Sequence, residues 1–180
     1  MVLKTCARGA LFAAGLALSA HALAHAARAP ASPGTAAISP ASAGMPVFVH
    51  DIDPAAADAV KVVDAFGAAI RSVDIAAAKA LLDPGVLILE SGGAERDRDA
   101  YMAEHALVDA AFLQAARQQP RYRRARAADG LAWVATETII ERDDHGKQST
   151  LLSTETMVLR KSAAGWKIVH IHWSSRPGKR

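Results

Sequence analysis

Two hydrophobic periodicities divide the part of the chain that follows residue 50. Apolar residues first recur at steps of three and four, as on one face of an α-helix. After Pro120 they recur at every second position, as in β-strands. The change of period predicts helices in the first half and antiparallel strands in the second, which is the α+β class.

Three helices are predicted before the last strands. Asp53-Pro54 is a typical helix start, because the acid can cap the helix and proline fits its first turn. The apolar stripe that follows ends near Val73, and Asp74 can cap a second, shorter helix. Pro120 blocks continuation of the third. The predicted helices run over 54–73, 75–82 and 99–118.

Five strands are predicted, with turns between them that contain glycine or Asp-Gly. One short apolar run lies between the second and third helices and ends at Glu90. The other four form a meander after Pro120. The predicted strands run over 86–90, 121–127, 132–141, 148–160 and 166–174.

The first fifty residues resemble an export signal followed by a spacer. Lys4 and Arg8 precede an apolar run over 10–20, and Ala-x-Ala patterns end at Ala22 and Ala26. We expect residues 1–26 to be a signal peptide and the protein to be exported, to the periplasm or the medium. The apolar run is short for a bilayer span, so no stable membrane anchor is expected after cleavage. The remaining segments are predicted to be a flexible Ala/Pro/Ser-rich spacer over 27–49, a folded domain over 50–176 and a basic tail over 177–180.

Composition narrows the classes of chemistry. The single cysteine, Cys6, lies in the expected signal, so the mature protein would have no thiol nucleophile or disulfide. Without Lys4 and Arg8, 19 basic residues face 18 acidic ones, which argues against a nucleic-acid partner. Phosphate-binding, nucleophile-elbow and Cys-x-x-Cys motifs are absent from the sequence, and no cofactor is expected.

The C-terminal hairpin carries a family resemblance. Residues 154–160, TETMVLR, and 165–175, GWKIVHIHWSS, resemble the final hairpin of the DUF4440/SnoaL-like group in the NTF2-like superfamily. They are also similar to the association domain of calmodulin-dependent protein kinase II. The resemblance spans about 55–175 and implies three N-terminal helices packed on a strongly bent antiparallel sheet around a conical pocket. Since this fold hosts isomerases, dehydratases and assembly modules, it does not by itself select a function.

Glu90 and His105 are the candidate acid/base pair. Glu90 ends the first predicted strand, and His105 lies on the apolar stripe of the third predicted helix, which the resemblance places beside that strand. Burial of a carboxyl and an imidazole brings their pKa values toward neutrality, where proton transfer is efficient.

His170 and His172 offer an alternative, because two imidazoles on one side of a strand could hold zinc with His105 or Glu155. By alternation they share a face with Trp166 and Ile168. The resemblance instead implies that they lie on an outer dimerising face, and we expect a homodimer and no metal.

A pocket ligand would contact Tyr101, Trp133, Glu155, Met157 and Trp173. Met157 and Trp173 occupy positions where the kinase association domain has pocket arginines, so the resemblance implies a small, largely apolar ligand. Three functions follow: binding of such a molecule, isomerase- or dehydratase-type catalysis by Glu90 and His105, or dimeric assembly.

Overall fold

The computed structural model describes residues 48–144 and 146–178; the predicted signal and most of the predicted spacer lie outside these residues. Asp53 caps a 3-10 turn at Pro54–Ala56 that leads into the first helix, and Asp74 caps the second; both caps were predicted. The prediction of three helices is wrong, because the third divides at His105 and ends before Pro120. The helices are α1 Ala57–Arg71, α2 Ile75–Leu81, α3 Arg98–Glu104 and α4 Ala106–Gln114.

Seven strands form one curled sheet with the order β1-β4-β5-β6-β7-β2-β3. The five predicted strands are present, and several are longer than expected. Two short strands were not predicted: β1 pairs in parallel with β4, and β3 forms a hairpin with β2. The strands are β1 Val49–Ile52, β2 Leu82–Glu90, β3 Gly93–Glu95, β4 Ala116–Ala128, β5 Leu131–Asp144, β6 Lys147–Ser162 and β7 Gly165–Pro177.

The concave face of the sheet is built from side chains in register across neighbouring strands. Residues paired directly opposite one another share a face, so each row crosses the five neighbouring strands β4, β5, β6, β7 and β2. The first row is Ala127, Ala132, Leu159, Ile168 and Leu82, and the second is Ala125, Val134, Met157, Ile171 and Ile88. Apart from the partly buried Ala127, none of these side chains is more than 3% exposed.

Helix α1 fills the space enclosed by these two rows. Its buried stripe includes Val63, Phe66 and Ile70, and Tyr101 of α3 closes the core from another side. The narrow end of the cone is therefore packed with the protein's own side chains. No helix of the described residues is long and apolar enough to cross a membrane.

The last strand departs from simple alternation. Leu159 pairs with Ile168 and Val158 with His170, so Val169 is an extra residue, a β-bulge. As a result Ile168 and Ile171 both face the core. The expectation that Ile168 and Trp166 share a face with His170 and His172 is therefore wrong: Trp166 packs against the core, while the histidines lie on the outer, convex face.

Candidate functional site

A third row of the sheet, next to the two apolar rows, is predominantly polar. It consists of Arg123, Thr136, Glu155, Trp173 and Glu90, one from each of five neighbouring strands, and is called the polar row below. Each member is two residues along its strand from a buried apolar side chain of the second row. The lining of the cone therefore changes from apolar to polar at this row, where Glu90 is exposed and Glu155 and Trp173 are partly exposed; this level is called the mouth.

Glu155 and Trp173 are joined at the centre of the polar row. The Trp173 indole donates a hydrogen bond from Nε1 to Glu155 Oε2 over 2.8 Å. Burial raises the pKa of the Glu155 carboxyl, an effect that the Trp173 hydrogen bond and the Arg123 charge partly offset. Part of Glu155 and Trp173 remains accessible, so a molecule in the mouth can contact both.

Arg123 lies at one end of the polar row and binds two neighbouring side chains. Its Nε donates to Thr136 Oγ1 over 3.2 Å, and its Nη1 lies 2.5 Å from Asp64 Oδ1 on α1. The Arg123 side chain is only 14% exposed, and Thr136 is 5% exposed. This arrangement fastens α1 to the sheet and keeps most of the Arg123 side chain out of solvent.

The other end of the polar row meets α3 and α4. The Tyr101 hydroxyl donates to Asp109 Oδ2 over 2.8 Å, and the Tyr101 and Trp173 ring centroids are 6.2 Å apart. Burial raises the pKa of Asp109, while the Tyr101 hydrogen bond lowers it. Burial, together with the charges of Asp109 and Glu95, also raises the pKa of Glu90. Glu90 is itself exposed at the rim.

His105 does not meet Glu90 as predicted. It lies at the junction of α3 and α4, where its Nδ1 contacts Glu95 Oε1 of the unpredicted strand β3. The His105 side chain is 51% exposed, whereas that of Glu95 is 12% exposed. The expectation that His105 lies on a buried apolar stripe is therefore wrong, because the helix breaks there. Only the electrostatic influence of His105 reaches Glu90.

The other predicted ligand contacts separate into three positions. Glu155 and Trp173 lie at the mouth. Tyr101 and Met157 are at most 1% exposed and form its floor. Trp133 is 37% exposed on the outer face, beside the buried Ala132 and Val134 of the same strand. The prediction that Trp133 lines the same pocket is wrong, since the sheet separates it from Glu155.

The outer face also holds the two histidines of the zinc alternative. His170 Nδ1 lies 2.8 Å from the carbonyl oxygen of Leu87, and His172 is exposed. Among residues 48–144 and 146–178, no group of three or more His, Cys, Asp or Glu side chains is arranged to hold a metal. The sheet separates both histidines from Glu155.

Sequence reasoning missed Asp109, Arg123 and Thr136. Arg123 and Thr136 belong to the polar row by register, and neither had been considered a candidate. The position of Arg123 two residues before the buried Ala125 was the available signal. Asp109 meets Tyr101 only because α3 and α4 are separate helices, which the sequence pattern did not show.

Comparison with known proteins identifies the family. The family model described as a SnoaL-like domain matches residues 60–177. A crystal structure from Shewanella frigidimarina, provisionally described as a ketosteroid isomerase, is 30% identical. The match covers 69% of this chain and 99% of the Shewanella chain, with a TM-score of 0.62. No curated protein matches.

More distant solved structures share the fold. The hub of the S. rosetta kinase CaMKII is 22% identical over 69% of this chain and 98% of its own, with a TM-score of 0.58. A protein from Streptomyces avermitilis, provisionally described as a dehydratase of the NTF2-like family, is 19% identical over 69% and 96%, with a TM-score of 0.56. The predicted resemblance is confirmed: the chain belongs to the SnoaL-like family of the NTF2-like superfamily.

Proposed function

We propose that this protein binds a small organic molecule at the mouth of the cone and transfers a proton within it, as an isomerase or dehydratase does. One observation carries the proposal. Glu90 and Glu155 flank Trp173 on the two neighbouring strands, Asp109 is bonded to Tyr101, whose ring lies 6.2 Å from that of Trp173, and all three carboxyl groups have raised pKa values. Ionisable groups perturbed by burial and gathered in a cleft are typical of acid/base sites.

Glu90 is the group best placed to exchange a proton with the ligand. It is exposed at the rim, and within the described residues it forms no hydrogen bond or ion pair that would occupy its oxygens. A raised pKa brings a carboxyl closer to the pH at which a general base works efficiently. Asp109, which accepts a hydrogen bond from Tyr101, is close enough for its charge to raise the pKa of Glu90.

The packing of the cone supports a ligand at the mouth rather than deep inside. Met157, Ile171 and Phe66 are at most 1% exposed, so the apolar interior is already occupied. The accessible apolar surface at the polar row is the Trp173 ring. A flat or apolar ligand body would stack on that ring and present its reacting atoms to Glu90 or Glu155, which flank it on the two neighbouring strands.

Binding without turnover is the second candidate function. The observation that favours it is the hydrogen bond between Trp173 and Glu155, which holds the best-enclosed carboxyl in place rather than leaving it free to exchange a proton. Under this alternative the same ligand occupies the mouth, and Glu90 serves only as a hydrogen-bond acceptor.

Proton abstraction is tested directly by deuterium exchange. The full chain would be incubated with a panel of small ketones in D₂O, and exchange of the hydrogens next to each carbonyl would be followed by NMR. Wild type should accelerate exchange for at least one ketone, and Glu90→Gln should remove that acceleration while the far-UV circular dichroism stays unchanged. If a ketone shifts the Trp173 indole N–H signal but wild type and Glu90→Gln exchange it equally, the binding-only alternative holds instead.

We further propose that the protein is exported and acts as a homodimer. Export rests on the signal-like residues 1–26. Dimerisation through the outer face is supported by the exposure of Leu131 and Trp133 there and by the kinase association domains among the similar folds. Size-exclusion chromatography with light scattering tests the dimer, and N-terminal sequencing of the secreted chain tests the export signal.

A further inference from the structure

Helix α1 presents a second face to the mouth, at right angles to its buried stripe. Asp64, Gly67 and Arg71 lie at three- and four-residue steps along this face, so they follow one another along one side of the helix. Asp64 reaches Arg123 at one end of the polar row. Arg71 lies two turns further along, close enough for its charge to lower the pKa of Glu155 near the centre of the row.

Gly67 gives Arg71 its position. A Cβ at residue 67 would lie 3.3 Å from Arg71 Nη1, so the guanidinium rests over the bare turn of the helix. Glycine in the middle of a helix is unfavourable relative to alanine. The sequence nevertheless has glycine at the one place in α1 where an arginine folds back.

Arg71 has no anionic partner in the described part of the chain. It forms no hydrogen bond or ion pair there, in contrast to Arg123, Arg124 and Arg126, which are all bound to Asp64 or Asp51. An exposed guanidinium is not unusual in itself. This one is near enough to Glu155 for its charge to act on that carboxyl, and the lack of a side chain at Gly67 leaves room for it.

We propose that Arg71 binds a carboxylate of the ligand, so that the molecule recognised at the mouth is a small organic acid with a flat or apolar body. The inference rests on the proposed function only in placing a ligand at the mouth. A planar guanidinium binds a carboxylate through two parallel hydrogen bonds, which orients as well as attracts it. The carboxylate at Arg71 and the body on Trp173 would direct the far end of the ligand toward Glu90. This departs from the sequence-based expectation of a largely apolar ligand.

Benzoate and benzamide are matched probes, because they share size and shape and differ in charge. Their affinities would be measured by NMR titration of the full chain, following the Trp173 indole N–H signal. Wild type should bind benzoate about tenfold more tightly than benzamide, which is the lower end of what a charged hydrogen bond contributes, since Arg71 is exposed. Arg71→Ala should abolish the preference. Lys61→Ala, an exposed cation of the same helix paired with Asp58, should leave it unchanged.

Gly67→Ala separates a binding role from a structural one. The added methyl group must displace the Arg71 guanidinium by a few tenths of an ångström, so affinity for benzoate should fall. The same change should raise the thermal unfolding midpoint by about 2–5 °C, because alanine favours the helix. A drop in affinity combined with a rise in stability is not expected if residue 67 only supports packing.

Two results would overturn the inference. One is equal affinity of wild type for benzoate and benzamide, including the case in which neither binds at millimolar concentration. The other is an undiminished preference for benzoate in Arg71→Ala. Neither result bears on the proton-transfer proposal, since deuterium exchange of neutral ketones requires no cation at residue 71.

Discussion

Tyr101→Phe is the sharpest test of the packing beneath the mouth. The substitution keeps the buried ring, with its contact to Trp173, and removes only the hydroxyl that donates to Asp109 over 2.8 Å. It leaves a half-buried carboxylate without its donor, which costs about 1–2 kcal/mol. For a domain of this size, that lowers the midpoint of thermal unfolding by roughly 4–8 °C.

The cost of Tyr101→Phe should depend on pH in a defined direction. The Tyr101 hydrogen bond lowers the pKa of Asp109, which burial otherwise raises, so the hydroxyl favours the ionised carboxylate. The stability difference between wild type and variant should be largest when Asp109 is ionised. It should shrink as the pH falls through the pKa of Asp109 in the folded protein.

Urea unfolding at several pH values, followed by tryptophan fluorescence, measures both effects. Tyr122→Phe is the matched control, because the Tyr122 hydroxyl is 3.4 Å from an Asp51 carboxylate that Arg124 and Arg126 already neutralise. Its cost should stay below about 0.5 kcal/mol, the usual limit for surface changes. A cost below that value for Tyr101→Phe at pH 8, or a cost that grows on acidification, would refute the reasoning.

Four further outcomes are expected. Because the pKa of Glu155 is raised in the folded protein, ionising this carboxyl destabilises the fold. Wild type should therefore lose stability relative to Glu155→Gln as the pH rises above about 4.3, the pKa of an unfolded glutamate, and the midpoints of urea unfolding at several pH values measure the difference. Met157→Ala should lower the free energy of unfolding by about 2–5 kcal/mol, measured by chemical unfolding, because the Met157 side chain is 1% exposed and its truncation leaves a cavity. Asp74→Ala should cost about 1 kcal/mol in the same assay, because Asp74 Oδ1 accepts from Ala77 N at the start of α2. His105→Ala should change stability by less than about 1 kcal/mol, with a salt-dependent part, as its pair with Glu95 is half exposed.

The fold was largely predictable because its strongest signals are local. The caps of the first two helices and the alternating pattern after Pro120 each depend on residues that are close together in the sequence. The short strands β1 and β3 carry too few residues for a periodicity, and they exist only through pairing with β4 and β2. The break at His105 was hidden because the apolar spacing of residues 99–118 also suits one continuous helix.

The candidate site was less predictable because it depends on register between distant strands. Glu155 and Trp173 were both expected to contact a pocket ligand, and they pair across the last hairpin, where register follows from a single turn. Thr136 and Arg123 join them only through pairing with β5 and β4, and Arg123 lies beyond a second bulge between Pro120 and Tyr122. Once a bulge adds a residue to a strand, the alternation of apolar and polar residues along that strand no longer tells which residues of neighbouring strands lie in one row.

The bulge at Val169 allows the bend of the last strand to differ without a change in which side chains face the core. Without this residue, Ile168 would still pair with Leu159 and His170 with Val158, so every side chain would keep its face. What the extra residue adds is a local bend and a stronger twist. Insertion or deletion of one residue there would therefore change the curvature of the sheet while the side chains that line the cone keep their faces. Among related proteins, variation in length at this position would alter the shape of the cone, and variation in sequence would alter what its lining recognises.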